Sequence, residues 1–130
     1  MRIAVFASGR GSNLQAIHDA VLADELQGVS LELLVCDRPD APVVAEVEKR
    51  GIPAFIFRPQ DYADKKAYEN LISEKLKTAK IELVVLAGYM RLVGSVLLEK
   101  WEGRMINLHP SLLPLFPGID AIGQAWRSGA

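Results

Sequence analysis

Ile3-Ala4-Val5-Phe6-Ala7-Ser8-Gly9-Arg10-Gly11-Ser12-Asn13 decides the fold. Five apolar residues run without a break and stop at Ser-Gly. A run that short and continuous reads as a strand buried on both faces, as in a parallel sheet. Ser8 to Gly11 is then a turn, and a helix follows it. Ser12 is placed to cap that helix, with Gln15 three residues on completing a capping-box pattern. Leu14, Ile17, Val21 and Leu22 give the helix its apolar stripe.

Outward from this unit the same alternation repeats. Leu31 to Cys36 reads as a second strand. Asp40 and Pro42 signal the start of a second helix and Gly51 its stop, with Val43, Val44 and Val47 inward. Ala54 to Phe57 is the third strand. Asp61 to Lys80 is a longer helix with Tyr68, Leu71, Ile72 and Leu76 on one face. Leu83 to Ala87 is the fourth strand, Gly88 to Gly94 a loop, and Ser95 is placed to cap a short helix ending near Trp101. Met105 and Ile106 open a fifth strand that leads into Asn107-Leu108-His109-Pro110-Ser111-Leu112-Leu113-Pro114. A last helix starts near Asp120, with Ile122 and Trp126 inward. Strands alternating with helices predict an α/β fold of the Rossmann-like, doubly wound type, with a mostly parallel sheet and helices on both faces. No repeat, linker or low-complexity tract divides the 130 residues, so residues 1–130 are expected to be a single domain.

Composition narrows the function. The net charge is -1 with both signs interspersed, which gives no footprint for nucleic acid or an anionic membrane. One cysteine, Cys36, rules out an internal disulfide, and with only His18 and His109 beside it a metal site is not expected. No apolar run approaches the roughly 20 residues that span a bilayer. The N-terminus opens directly into a strand with no signal-peptide pattern. The expectation is a cytoplasmic protein with no metal, no nucleic acid and no membrane partner.

Three stretches can carry chemistry, and each has a plain structural alternative. Ser8-Gly9-Arg10-Gly11-Ser12-Asn13 offers glycines and a helix N-terminus, which suit an anion, most simply a phosphate. It lacks the GK[ST] of a P-loop, and Leu14 stands where a dinucleotide fingerprint has its third glycine. A single phosphate monoester fits it better than a pyrophosphate; the alternative is a tight turn and a capped helix. Asn107 and His109 are two apart, so an extended backbone turns both to one face, and Pro110 keeps His109 extended. A carboxamide and an imidazole there can stabilise an oxyanion and move a proton; alternatively both satisfy backbone at a strand end. Pro110, Pro114 and Pro117 stiffen the exit loop. Gly88 to Val93 offers backbone to a flat heterocycle with Met90 and Leu92 packing on it, or is an ordinary apolar connection. Asp37, after the second strand, is placed to bind a ribose hydroxyl or to cap a turn. His18 reads as structural, Cys36 as a packed thiol, and Lys65 with Lys66 as a solvated helix face.

Taken together, these residues resemble the phosphoribosylglycinamide formyltransferase family, in its N-terminal portion. The resemblance covers essentially the whole chain. It is carried by Ala7-Ser8-Gly9-Arg10-Gly11-Ser12-Asn13-Leu14-Gln15-Ala16-Ile17, by Leu86-Ala87-Gly88-Tyr89-Met90-Arg91-Leu92, and by Asn107 to Pro114 with Phe116-Pro117-Gly118. The last element is shared with other formyl-folate enzymes; the Ser-Gly-Arg-Gly-Ser-Asn loop sets this branch apart. The resemblance implies transfer of a formyl group from 10-formyltetrahydrofolate to glycinamide ribonucleotide, without a metal. It implies that Gly11, Ser12 and Asn13 hold the substrate phosphate. It places Met90, Arg91, Leu92 and Val93 on the folate pteridine and Lys65, where an arginine is often found, against the folate. Asn107 then faces the formyl group, and His109 is the catalytic acid.

The sequence departs from that pattern at one point. The family's third catalytic residue is an aspartate on a later segment, and none of the seven aspartates here sits in its motif. The sheet is therefore expected to be C-terminally incomplete, and the 130 residues alone to have little or no transformylase activity. An open edge of this kind would invite self-association, so a homo-oligomer is an expectation too. Another formyl-folate enzyme, such as a hydrolase or a methionyl-tRNA formyltransferase, and a non-catalytic phosphate-binding module are the alternatives weighed.

Overall fold

The computed structural model describes residues 1–108. His109, the proline-stiffened loop, Asp120 and the helix expected beyond it lie outside the described residues. Within them the order is β1 (Arg2–Phe6), α1 (Ser12–Leu22), β2 (Ser30–Cys36), α2 (Pro42–Arg50), β3 (Ala54–Ile56), α3 (Lys65–Thr78), β4 (Leu83–Ala87), α4 (Ser95–Trp101) and β5 (Met105–Leu108). The five strands form one sheet in the order β3-β2-β1-β4-β5, and every pairing is parallel.

This order follows from the apolar pattern. β1 is central, and Ile3, Ala4, Val5 and Phe6 are all at 0 % exposure. Alternate side chains go to opposite faces. Ile3, Val5 and Ala7 pack with Leu14, Ile17, Val43 and Val47, so α1 and α2 cover that face. Ala4 and Phe6 pack with Tyr68, Ile72, Leu76, Leu97 and Trp101, so α3 and α4 cover the other. Burying a side chain the size of Phe6 or Ile3 contributes about 1.5–3 kcal/mol, which makes β1 the anchor of the sheet.

The chain runs outward from β1 to β3, then crosses back to β4 on the far side of β1. The crevice between β1 and β4, at their carboxyl ends, is thus the point where strand order reverses. That is where open α/β sheets bind ligands.

Several local expectations need correcting. Ser12 does not cap α1. Gly11 is the N-cap, in left-handed conformation at φ 78°, with no side-chain cap, and its carbonyl accepts from Gln15 N at 2.8 Å. Leu22 is not on the buried stripe; it is 70 % exposed, and Ala20 takes the inward position. A stripe at 14, 17, 20 and 21 already closes against the sheet, and Leu22 falls a further 100° around. α3 begins at Lys65 rather than Asp61. A single 3₁₀ turn, Pro59–Asp61, comes first, and Asp64 is the true N-cap, accepting from Ala67 N at 2.8 Å. Ser95 is the first helical residue of α4, and Gly94 precedes it as N-cap without a side-chain bond. α2 starts at Pro42 and stops at Gly51 as its signals predict.

Candidate functional site

Two loops meet at the carboxyl end of the β1–β4 crevice. The first leaves β1 through Ser8 and enters α1 at Gly11. The left-handed backbone at Gly11 is matched by a steric demand, since a Cβ there would lie 2.5 Å from Val43 Cγ2. Val43 N also donates to Gly9 O at 3.0 Å, which fixes the glycine turn against the start of α2. The opening N–H groups of α1, those of Ser12 and Asn13 among them, have no partner within the helix. They join the positive end of its dipole. Ser12 is exposed and Asn13 half-buried. Gly11, Ser12 and Asn13 therefore form one cradle, open to solvent, of the kind that holds an anion.

The second loop runs from Gly88 to Gly94, and side chains from three other elements fasten it. Ser8 N donates to Gly88 O at 3.2 Å. Met90 N donates to Ser8 Oγ at 2.9 Å, and the Ser8 hydroxyl in turn donates to Asp37 Oδ1 in a short bond. Arg91 Nε donates to Asp37 Oδ2 at 3.1 Å. From α3, Lys65 Nζ donates to Leu92 O at 2.8 Å, and Glu69 Oε2 accepts from Gly94 N at 2.8 Å. Tyr89 drops its ring into the α3/α4 face, edge-on to Phe6 with centroids 5.3 Å apart. Burial drives its phenol pKa far above the ordinary value, helped by Tyr68 and the carboxylates of Asp37 and Glu69, so the hydroxyl stays protonated. With the backbone held from below, Met90 and Leu92 stand free at 78 % and 82 % exposure.

Asp37 is 4 % exposed, and its two oxygens are engaged by Ser8 and Arg91. It is neither a free ribose ligand nor a turn cap. Lys65 is exposed, as a solvated face implies, but its amine is already turned onto the loop. Asn107 is exposed on β5, level with Leu86 of β4. Its neighbour two residues back, Met105, packs on the α3/α4 face, and alternation sends Asn107 to the same side. β5 lies two strands from β1, about 10 Å at the usual spacing, so Asn107 shares the carboxyl rim with the glycine turn. His109 is outside the described residues. An open cavity of about 660 Å³ adjoins the second loop, between Asp37, Arg38, Arg58, Gln60, Met90 and Arg91.

Glu69 was not singled out by sequence reasoning. A signal was there: it falls at helical spacing with Ile72 and Leu76, a carboxylate inside an apolar stripe, and it is 1 % exposed. His18 and Cys36 behave as structural groups. His18 Nδ1 accepts from Arg50, which also binds Asp19 and Glu46 and so ties α1 to α2. Burial, then the Arg50 charge, lowers the His18 pKa. Cys36 is fully buried, donates to Arg38 O, and burial raises its thiol pKa. Among the described residues no group of three or more His, Cys, Asp or Glu is placed to hold a metal ion. No described helix is long and apolar enough to cross a membrane.

A parallel sheet with the order 3-2-1-4-5, a glycine turn into α1 after β1 and a braced loop after β4 define a Rossmann-like α/β domain whose two carboxyl-edge loops meet at the switch point. The chain belongs to the formyl transferase family, whose profile matches residues 1–130. It is 52% identical over 128 residues to the phosphoribosylglycinamide formyltransferase of Bacillus subtilis (strain 168), covering 98% of this chain and 65% of that protein. The crystal structure of glycinamide ribonucleotide transformylase 1 from Geobacillus kaustophilus superposes with a TM-score of 0.82 at 53% identity, over 99% of this chain and 68% of that one. The phosphoribosylglycinamide formyltransferase of Bacillus halodurans does so with a TM-score of 0.80 at 48% identity, over 100% and 66%. The chain thus spans about two thirds of the length of these bacterial relatives.

Proposed function

We propose that this protein transfers a formyl group from 10-formyltetrahydrofolate to the amine of glycinamide ribonucleotide. The observation that carries the reading is the junction at Ser8, the residue that leads from β1 toward the anion cradle and is hydrogen-bonded to Gly88 and Met90 of the braced loop, so that both loops open at one switch point. The bacterial relatives bear the names of enzymes acting on that acceptor, which supports the same choice.

In this reading Gly11, Ser12 and Asn13 hold the acceptor's phosphate through α1 N–H groups and its dipole, with the Ser12 hydroxyl and the Asn13 side-chain amide adding donors. Met90, Arg91, Leu92 and Val93 present backbone and apolar side chains to the donor's flat pteridine, with Lys65 beside them. The acceptor amine attacks the formyl carbon, and a tetrahedral intermediate forms. The π pair of the formyl C=O moves onto its oxygen, and the Asn107 amide stabilises that oxyanion by donation. His109 is the acid: it gives a proton to the folate nitrogen as the C–N bond to the formyl group breaks, and the surplus proton of the attacking amine returns to its imidazole, restoring the acid. No covalent enzyme intermediate is needed. A cytoplasmic setting accompanies this reading; the single thiol, buried and free at Cys36, suits a reducing compartment.

The test is donor deformylation followed by absorbance, with and without glycinamide ribonucleotide, on the 130 residues and on a form extended at the C-terminus to the length of the bacterial relatives, the form in which turnover is expected. Turnover is expected to depend on the acceptor. Asn107→Ala should lower kcat by ~10²–10³-fold and His109→Ala by ~10²–10⁴-fold. Ser12→Ala and Asn13→Ala should weaken acceptor binding. Deformylation at the same rate without acceptor refutes the transfer.

A further inference from the structure

The Ser8 hydroxyl has one proton and is 1 % exposed. It gives that proton to Asp37 and receives the N–H of Met90. Asp37, equally enclosed, turns its second oxygen to Arg91. Two buried polar groups, drawn from the ends of β1 and β2, therefore set the backbone of Met90 and the direction of the Arg91 side chain. Ser8 is sealed beneath the loop, and Asp37 reaches only the floor of the open cavity beside Met90 and Arg91, with 4 % of its surface exposed. The chain order explains why no short-range pattern reveals this: the partners are 29, 54 and 82 residues apart.

The bond pattern is directional. Asp37 as a carboxylate is an acceptor at both oxygens. The Ser8 proton is thus committed to it, and the hydroxyl's lone pair faces Met90 N–H. Deleting the hydroxyl leaves both the Asp37 oxygen and the Met90 amide without a partner in a buried site, which is the expensive way to lose a hydrogen bond. The loop can recover only by moving Met90 toward solvent. The glycine turn is held separately, by Gly11 against Val43 and by Val43 N on Gly9 O, so it has no need of that hydroxyl.

We propose that Ser8 and Asp37 are positioning residues for the formyl donor. They preset the 90–91 backbone against which the donor's ring docks and act selectively on the donor rather than the phosphate-bearing acceptor. This rests on the reading of Met90 to Val93 as the donor surface.

The experiment measures KM for 10-formyltetrahydrofolate and for glycinamide ribonucleotide, with kcat, in the C-terminally extended form, as wild type, Ser8→Ala and Asp37→Asn. Ser8→Ala should raise the donor KM about tenfold, keeping the acceptor KM within about twofold. Asp37→Asn is near-isosteric and keeps an acceptor for the Ser8 hydroxyl while removing the charge facing Arg91. It should therefore raise the donor KM less, about threefold. The double variant should match Ser8→Ala rather than the product of the two effects. A fall in melting temperature with both KM values unchanged makes the pair merely structural and overturns the inference. Equal rises in both KM values overturn it too. A wild type with no acceptor-dependent turnover removes the underlying reading itself, so the two failures are told apart.

Discussion

Replacing Gly11 by alanine separates two physical effects that meet at one atom. The backbone there is left-handed, at φ 78°, and an L-residue held so loses about 1–2 kcal/mol. The new methyl would also lie 2.5 Å from Val43 Cγ2 and 2.9 Å from its Cβ. Val43 is at 0 % exposure and cannot swing away. Overpacking of that kind adds about 1–3 kcal/mol, so Gly11→Ala should lose roughly 2–5 kcal/mol in all. Gly51 supplies the control. It too is left-handed, at φ 69°, but nothing lies within 4 Å of its would-be Cβ, so Gly51→Ala should lose only the backbone part. Urea denaturation followed by circular dichroism reads both, with the slope checked for constancy. In a Gly11→Ala/Val43→Ala double variant the 2.5 Å contact with Cγ2 is gone and only the 2.9 Å contact with Cβ remains, so the loss should fall short of the sum of the singles by about 0.5–3 kcal/mol. Equal losses at Gly11 and Gly51, with strict additivity at Val43, would refute a steric demand at the cradle.

Three further outcomes follow from side chains away from the rim. The His18 pKa lies below its ordinary value of 6.5, so its contribution to stability is whole above that value and fades as pH falls through the lower folded one. Melting temperature should therefore drop between pH 7.5 and pH 5 by more in wild type than in His18→Gln, which keeps an acceptor for Arg50; parallel drops would count against it. Cys36 should resist a thiol reagent at pH 8 while folded and react at once in guanidinium, because burial raises its pKa and hides it; rapid labelling of the native chain would contradict the packing. Glu69→Ala should strip Gly94 N of its acceptor and quicken proteolysis within 88–94, whereas Glu69→Gln, which retains an acceptor oxygen, should not.

The fold was legible because its signals are local. Five apolar runs bounded by glycine, proline or serine mark all five strands, and Pro42 and Gly51 bracket α2 at its observed ends. Where local signals compete, tertiary contact decides. Ser12 has the residue type of a cap, but Gly11 alone can take the left-handed turn under Val43. Asp61 looks like a helix start, but Pro59 draws it into a separate 3₁₀ turn and Asp64 caps α3 in its place. The site was half legible. The glycine loop and the 88–94 loop announce themselves as contiguous motifs, whereas their fastening by Ser8, Asp37, Lys65 and Glu69 joins residues remote in sequence. Asp37 shows the difference: its place after β2 was readable, but not that both its oxygens would be claimed from within the chain.

The sheet also has an effect on how damage spreads. Ile3, Val5 and Ala7 look into one apolar layer and Ala4 and Phe6 into the other, with a single thickness of backbone between. The interior is two sealed compartments with one shared wall. A void opened beneath α1 cannot be filled by repacking beneath α3, whereas β1, β2 and β4 each send side chains into both layers, so the loss of any of them would be felt in both rooms at once.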